Sequence, residues 1–400
     1  MKAMILAAGK GTRVRPITHV LPKPMIPLVR KPVMEFLVEH LKAHGITRIM
    51  VNTSHLAPLI EEYFRDGDRF GVQMAYSFEG DLIGGQIEGK AIGSAGGMRK
   101  IQDFSGFFDE TFVVLCGDAL VNVDFSEVVR FHRERNSIAT LVLRDVPAEN
   151  VPKYGVAQTD ASGRIIRFQE KPTREEAIST TINTGIYVFE PEIFQYIPAG
   201  VEFDIGGQLL PELVRNGRSI FGITLPFTWL DIGSVPDYWE ATRLLLRGGV
   251  EGFTMPGDPI RPGVHCGINL QVAWDRVRIE GPVYIGSSTS VGDGATIIGP
   301  TVIGSGCVIQ PGAALRECIL ADYTRVSSVA VLEKKLIFGS KCIDPSGRYL
   351  DIEESQIRWL MDDARNREEL SESELSLLEE VRTLTAPMNP NLDFKIWQAE

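Results

Sequence analysis

A short apolar run, Ala3-Met-Ile-Leu-Ala-Ala8, empties into Gly9-Lys-Gly-Thr-Arg13, and Lys23 follows between two prolines. A glycine turn after a strand lets backbone N–H groups close on phosphate oxygens, and Arg13 and Lys23 extend the positive reach to a triphosphate. The loop is not a Walker A sequence, because no Gly stands five residues before a Gly-Lys-Ser/Thr. Nor is it a dinucleotide fingerprint, since Val14 stands where a third glycine would be needed. Taken alone it reads equally as a tight turn with surface bases. Two carboxylates follow apolar runs: Asp118 in Leu115-Cys-Gly-Asp118 and Asp231 in Trp229-Leu-Asp-Ile-Gly233. Each by itself is also an ordinary cap or turn former; together they would hold one Mg²⁺, which takes one or two carboxylates plus substrate phosphates. Glu170, Asn183 and Thr184 are hydroxyl-binding side chains, and Lys171 is a compact charge for a phosphate, although judged without its neighbours it reads first as a solvated lysine before a proline turn. None of the six histidines lies in a Ser or Cys pattern that suggests a nucleophilic triad.

These residues need strands to end beside them. From Met1 to about Leu246 short apolar runs alternate with amphipathic stretches, the pattern of an α/β domain with a mixed, mostly parallel sheet, and open α/β sheets place ligands beyond strand ends. A Gly/Pro-rich connector spans 247–259. In the segment 260–345 large aliphatics recur every sixth residue, at Ile279, Ile285, Val291, Ile297, Ile303, Ile309 and Leu315. Such hexads build a parallel β-helix, and seven of them predict little more than two coils. The remainder, 346–400, reads as an acidic extension, helical from about Ile352, with Ser371-Glu-Ser-Glu374 as a capping box.

With 44% hydrophobic and 23% charged residues over 400 positions, the composition excludes disorder and collagen-like repeats and leaves room for two or three domains. The net charge is −11, and −8 of it falls in 351–400, where 13 acidic residues face 5 basic ones. No basic block exists to bind a nucleic-acid polymer. The run Ala3–Ala8 is far short of the roughly 20 residues that a membrane span needs, so no membrane partner is expected. Five cysteines without C-x-x-C spacing argue against disulfide and zinc frameworks. A cytoplasmic protein is the expectation, with a homo-oligomer joined through β-helix or tail surfaces.

Taken in order, Leu6-Ala-Ala-Gly-Lys-Gly-Thr-Arg13, Pro22-Lys-Pro24, Cys116-Gly-Asp118, Glu170-Lys-Pro172, Asn183-Thr-Gly185 and Trp229-Leu-Asp-Ile-Gly233 resemble the sugar-1-phosphate nucleotidyltransferases. The resemblance implies a Rossmann-like catalytic domain followed by a short left-handed β-helix. It also implies transfer of a nucleotidyl group from an NTP to a hexose-1-phosphate with release of pyrophosphate. It would place Leu6, Ala7, Gly9, Gly11, Thr12 and Gly93 against the nucleotide, with Arg13 and Lys23 on its phosphates. Asp118 and Asp231 would bind Mg²⁺; Gly155, Glu170, Asn183 and Thr184 would contact the sugar, and Lys171 its phosphate. The loop Ala91-Ile-Gly-Ser-Ala-Gly-Gly97 is similar to the guanylyl, mannose-1-phosphate branch, whereas the whole chain is similar to the cyanobacterial branch that uses UTP and glucose-1-phosphate, which is favoured. A silent nucleotide-sugar sensor would have no reason to keep Arg13, Asp118, Lys171 and Asp231 together. Acyl transfer by the β-helix would need more coils and a histidine, and 277–315 contains none.

Overall fold

The computed structural model describes residues 1–385, which form two compact units, Met1–Tyr238 and Trp239 onward. Residues 386–400 of the acidic extension lie outside the described residues.

The first unit is built on a nine-stranded sheet. Its strands are β1 (Lys2–Leu6), β2 (Arg48–Thr53), β3 (Gln73–Phe78) and β4 (Phe112–Cys116), then β6 (Ala139–Asp145), β7 (Val156–Thr159), β8 (Ile165–Gln169), β9 (Thr181–Phe189) and β10 (Ile220–Thr224). A separate ladder pairs β5 (Ala119–Val121) with β11 (Trp229–Asp231). The spatial order β8-β7-β9-β4-β1-β2-β3 is parallel from β4 to β3 and antiparallel on the β9 side, and β6 pairs with both β9 and β10. The run Ala3-Met-Ile5 is fully buried because a central strand of such a sheet has no solvent face. Strand alternation divides the apolar residues between two cores. Ile5, Val51, Val113 and Val188 face one side with helices α1 (Val33–Ala43), α2 (Ala57–Phe64) and α4 (Phe125–Glu134). Met4, Met50, Val114 and Phe189 face the other with α3 (Ser94–Ser105).

The second unit is a left-handed parallel β-helix. On its three faces Cys266, Ile285, Ile303, Leu320 and Ile337 form one aliphatic column, Val272, Val291, Ile309 and Val326 a second, and Ile279, Ile297, Leu315 and Leu332 a third. The stack therefore has four coils, not little more than two. The hexad count stopped short because the register between coils lengthens to 19 residues at Cys266/Ile285 and shortens to 17 at Leu315/Leu332. The helical reading of the extension also starts too early. Before Glu372 the chain turns, and Met361–Asp363 pairs antiparallel with Thr324–Val326, where buried Asp362 accepts from Arg325 (2.9 Å) and Arg358 (3.3 Å). The helix runs over Glu372–Thr385, and Ser371 and Glu374 exchange the reciprocal capping bonds at 3.3 and 2.9 Å. Among the described residues no helix is long and apolar enough to cross a membrane.

Candidate active site

The ends of β1, β2 and β4 meet because Leu6, Asn52 and Cys116 stand in register. A cleft of about 270 Å³ opens there, lined by Leu6, Ala7, Ala8 and Gly9 from the first strand and its loop, by Lys23 and Asp118, and by Ala91, Gly93 and Ser94 at the start of α3. The Ala7 N–H donates to Asn52 Oδ1 at 2.9 Å, and the Gly117 N–H to the Leu6 carbonyl at 2.9 Å. A side chain at Gly9 would meet no protein atom within 4 Å, so its absence leaves open the path to the backbone. Gly11 has φ +61°, and Thr18 pins the loop by donating to the Gly11 carbonyl at 2.8 Å. Thr12 and Arg13 are exposed on this loop, and the Arg13 charge reaches Lys23 and Asp231.

Lys23 is the buried pivot. Its ammonium donates to Asp118 and lies 3.7 Å from Asp231 Oδ1. The β5–β11 ladder sets Asp231 opposite Ala119, the residue after Asp118, and the Ile232 N–H closes it by donating to the Asp118 carbonyl at 3.0 Å. Burial, and then the neighbouring Asp118 charge, push the Asp231 carboxyl up to about 6, with Lys23 opposing them. For Lys23 burial pulls downward, but the two aspartates outweigh it and its pKa rises. Two carboxylates so placed want more positive charge than one ammonium supplies. Their hard oxygens fit a divalent cation. Among the described residues no cluster of three or more His, Cys, Asp or Glu is set to hold a metal, so further ligands would come from substrate and water.

Beside this centre the Tyr154 hydroxyl donates to Asp231 Oδ2 at 3.4 Å, while the Tyr154 carbonyl accepts from the Lys171 N–H at 3.2 Å. Lys171 is exposed, with φ +46°, and its ammonium lies 2.9 Å from Glu170 Oε1. Glycines at 155 and 206 make room for that carboxylate: a Cβ would stand 2.7 and 2.5 Å from Glu170 Oε2. Asn183 is bound to this turn by its N–H, which donates to the Gly155 carbonyl at 2.8 Å, and its amide donates to the Tyr187 hydroxyl. None of these residues lines the 270 Å³ cleft itself, and Thr184 is turned into the fold beside them. Its hydroxyl donates to the Val142 carbonyl at 2.8 Å, its carbonyl accepts from the Trp229 indole, and it is 4% exposed.

Residues 2–248 match the family described as Nucleotidyl transferase, and 276–317 match the bacterial transferase hexapeptide repeat. The chain belongs to the nucleotidyl transferase family. It is 55% identical over 366 residues to a UTP–glucose-1-phosphate uridylyltransferase of Synechocystis sp., covering 92% of this chain and 94% of that one. It is 30% identical to a mannose-1-phosphate guanylyltransferase of Mycobacterium tuberculosis, covering 83% of each. Among solved structures, a putative glucose-1-phosphate thymidylyltransferase from Bacillus anthracis shares the fold at a TM-score of 0.54 and 26% identity, covering 64% of this chain and 97% of that one. The chain is thus a sugar-1-phosphate nucleotidyltransferase.

Sequence reading missed two polar residues of this nucleotidyl transferase cleft. Asn52 donates to Glu79 Oε1 at 2.8 Å, and the other Glu79 oxygen accepts from the Ile92 N–H at 3.0 Å, so the first strand's exit is tied to the loop before α3. Burial pushes the Glu79 carboxyl up, against those two bonds and the Lys100 charge. Both residues stand at the ends of apolar strands, the rule that singled out Asp118, and extending that rule to β2 and β3 would have found them.

Proposed function

We propose that the enzyme joins UTP and glucose-1-phosphate to give UDP-glucose and pyrophosphate. The observation that carries the site assignment is the convergence of Lys23, Asp118 and Asp231 at one end of a strand-end cleft. The uridylyl choice rests on the likeness to the Synechocystis relative. In this reading residues 1–246 are the catalytic part, 247–259 a linker, 260–345 the β-helix and 346–400 an extension, and the enzyme works in the cytoplasm as a homo-oligomer.

Leu6, Ala7, Gly9, Gly11, Thr12 and Gly93 line the nucleotide, and Arg13 and Lys23 meet its phosphates. Asp118 and Asp231 hold Mg²⁺, which when bound neutralises phosphate charge. Gly155, Glu170 and Asn183 contact the sugar, with Thr184 supporting them from beneath through its bonds to Val142 and Trp229. Lys171, freed from Glu170 as the substrate arrives, takes the sugar phosphate. A phosphate oxygen already ionised near neutral pH attacks the α-phosphorus in line. The new O–P bond forms as the bond to the β-phosphate bridge breaks, and the electron pair leaves on pyrophosphate. No proton has to move, so the protein's task is to orient two anions and offset their charge.

Pyrophosphate release with Mg²⁺, measured for UTP, GTP, dTTP, ATP and CTP against glucose-, mannose-, galactose- and N-acetylglucosamine-1-phosphates, tests this reading. A maximum at UTP with glucose-1-phosphate supports it. A maximum at GTP with mannose-1-phosphate transfers the assignment to the branch that the 91–97 loop resembles, and silence with nucleotide-sugar binding intact points to a sensor. Asp118→Asn should lower turnover at least about 100-fold with the fold unchanged by circular dichroism.

A further inference from the structure

The first unit holds a larger cavity, of about 610 Å³, that shares no lining residue with the catalytic cleft. The end of α4, the residues after β9 and the turn before β10 surround it. His132, 1% exposed, forms part of its wall: one ring nitrogen, Nδ1, lies 2.8 Å from the Thr140 hydroxyl and the other, Nε2, 3.1 Å from Glu190 Oε1. Thr111 donates to the same Glu190 oxygen at 2.7 Å. Two partners on one oxygen orient the carboxylate, and its Oε2 takes neither of these bonds. Burial holds the His132 imidazole below its ordinary pKa, so the ring is neutral near pH 7.

The charges of the lining cancel. Glu190 and Glu192 are balanced by Arg133 and Arg218, and Arg218 is ion-paired with Glu192 while its guanidinium rests 5.1 Å from the Tyr196 ring centre. An anion would face two carboxylates, and a cation two guanidinium groups. An apolar ligand would find one apolar side chain, Ile138, among the lining residues. What such a bowl offers is a set of donors and acceptors without net charge, those of His132, Glu190 and Arg218 held by their partners, in a volume inside the usual range for small-molecule sites.

We propose that this cavity binds a neutral saccharide, with Glu190 and Asn136 holding hydroxyl groups and Arg133 at its rim. Saturation-transfer NMR and calorimetry on the full chain, with glucose, sucrose and maltose as probes, test it in the presence and absence of saturating UDP-glucose and Mg²⁺. The expected result is saturable one-site binding of at least one probe that persists with UDP-glucose present. Asn136→Ala and Arg133→Ala, both at exposed positions, should each weaken it about tenfold or more, with pyrophosphate release within about twofold of wild type. Glu190→Gln should weaken it too, its thermal midpoint checking the fold. Absence of saturable binding up to about 50 mM would overturn the proposal. So would displacement by UDP-glucose, which would put the sugar in the catalytic cleft, or affinity unchanged by all three substitutions. Binding of inorganic phosphate, but not of the sugars, at the same residues would also overturn it.

Discussion

Asp231→Asn separates what the acidic pair does for catalysis from what it costs the fold. The Asp231 side chain is 14% exposed, and its carboxyl is raised from 3.8 to about 6 by burial and by Asp118. An ionised Asp231 therefore weighs on the folded state by about 3 kcal/mol at pH 7 relative to the unfolded chain. Residual exposure and the imperfect match of an amide reduce the expected gain on neutralising it to about 2 kcal/mol. At roughly 2–4 °C per kcal/mol for a unit of this size, the thermal midpoint of Asp231→Asn should rise by about 4–8 °C in EDTA at pH 8. Because the folded-state pKa is the higher one, the contribution of Asp231 to wild-type stability is fully present below pH 3.8 and is lost as pH rises through about 6. The variant's advantage should accordingly shrink towards pH 4. In Mg²⁺ with UTP the order should narrow or reverse, as only wild type keeps both carboxylates for the metal, and turnover of the variant should fall at least about 100-fold. The measurement is differential scanning fluorimetry across pH 4–8 beside a pyrophosphate-release assay. A variant less stable than wild type in EDTA at pH 8 would refute the reasoning, for it would mean that the attraction of Lys23 outweighs burial and the Asp118 repulsion.

Gly93→Ala should lower the thermal midpoint and raise the KM for the nucleotide: φ is +80°, and the added Cβ would stand 2.4 Å from the Phe203 carbonyl oxygen. Glu79→Gln puts an amide where both oxygens now accept, so one N–H must face a donor, either Asn52 or the Ile92 N–H; a loss of about 1–3 kcal/mol in urea unfolding is expected. Lys171→Ala removes an exposed ammonium, and its effect should fall on sugar-phosphate use, with kcat/KM for glucose-1-phosphate down about tenfold or more and the thermal midpoint unchanged in melting scans.

The parts of this protein that were legible are those in which chain neighbours do the work. The glycine loop after β1, Asp118 after β4 and Asp231 at the last position of β11 announce themselves locally, because open α/β sheets place ligands where strands end. Thr184 illustrates the limit of that reading. It sits inside the Asn183-Thr-Gly185 motif, yet β9 pairs with β6, and the Thr184 hydroxyl donates to Val142. Which face a strand residue takes is decided by pairing, and pairing is written in no single segment. Glu79 was overlooked for a related reason: an acidic residue after an apolar strand is ordinary until Asn52, 27 positions earlier, donates to it. The β-helix failed in a third way. A strict period of six follows the aliphatic columns only while each coil holds 18 residues, and the chain spends one residue more between Val272 and Ile279 and one fewer between Leu315 and Leu320 without leaving the column. Parallel coils demand that aliphatic residues stack, not that the loops between them match in length, so column-to-column contact is the invariant and spacing only its usual shadow.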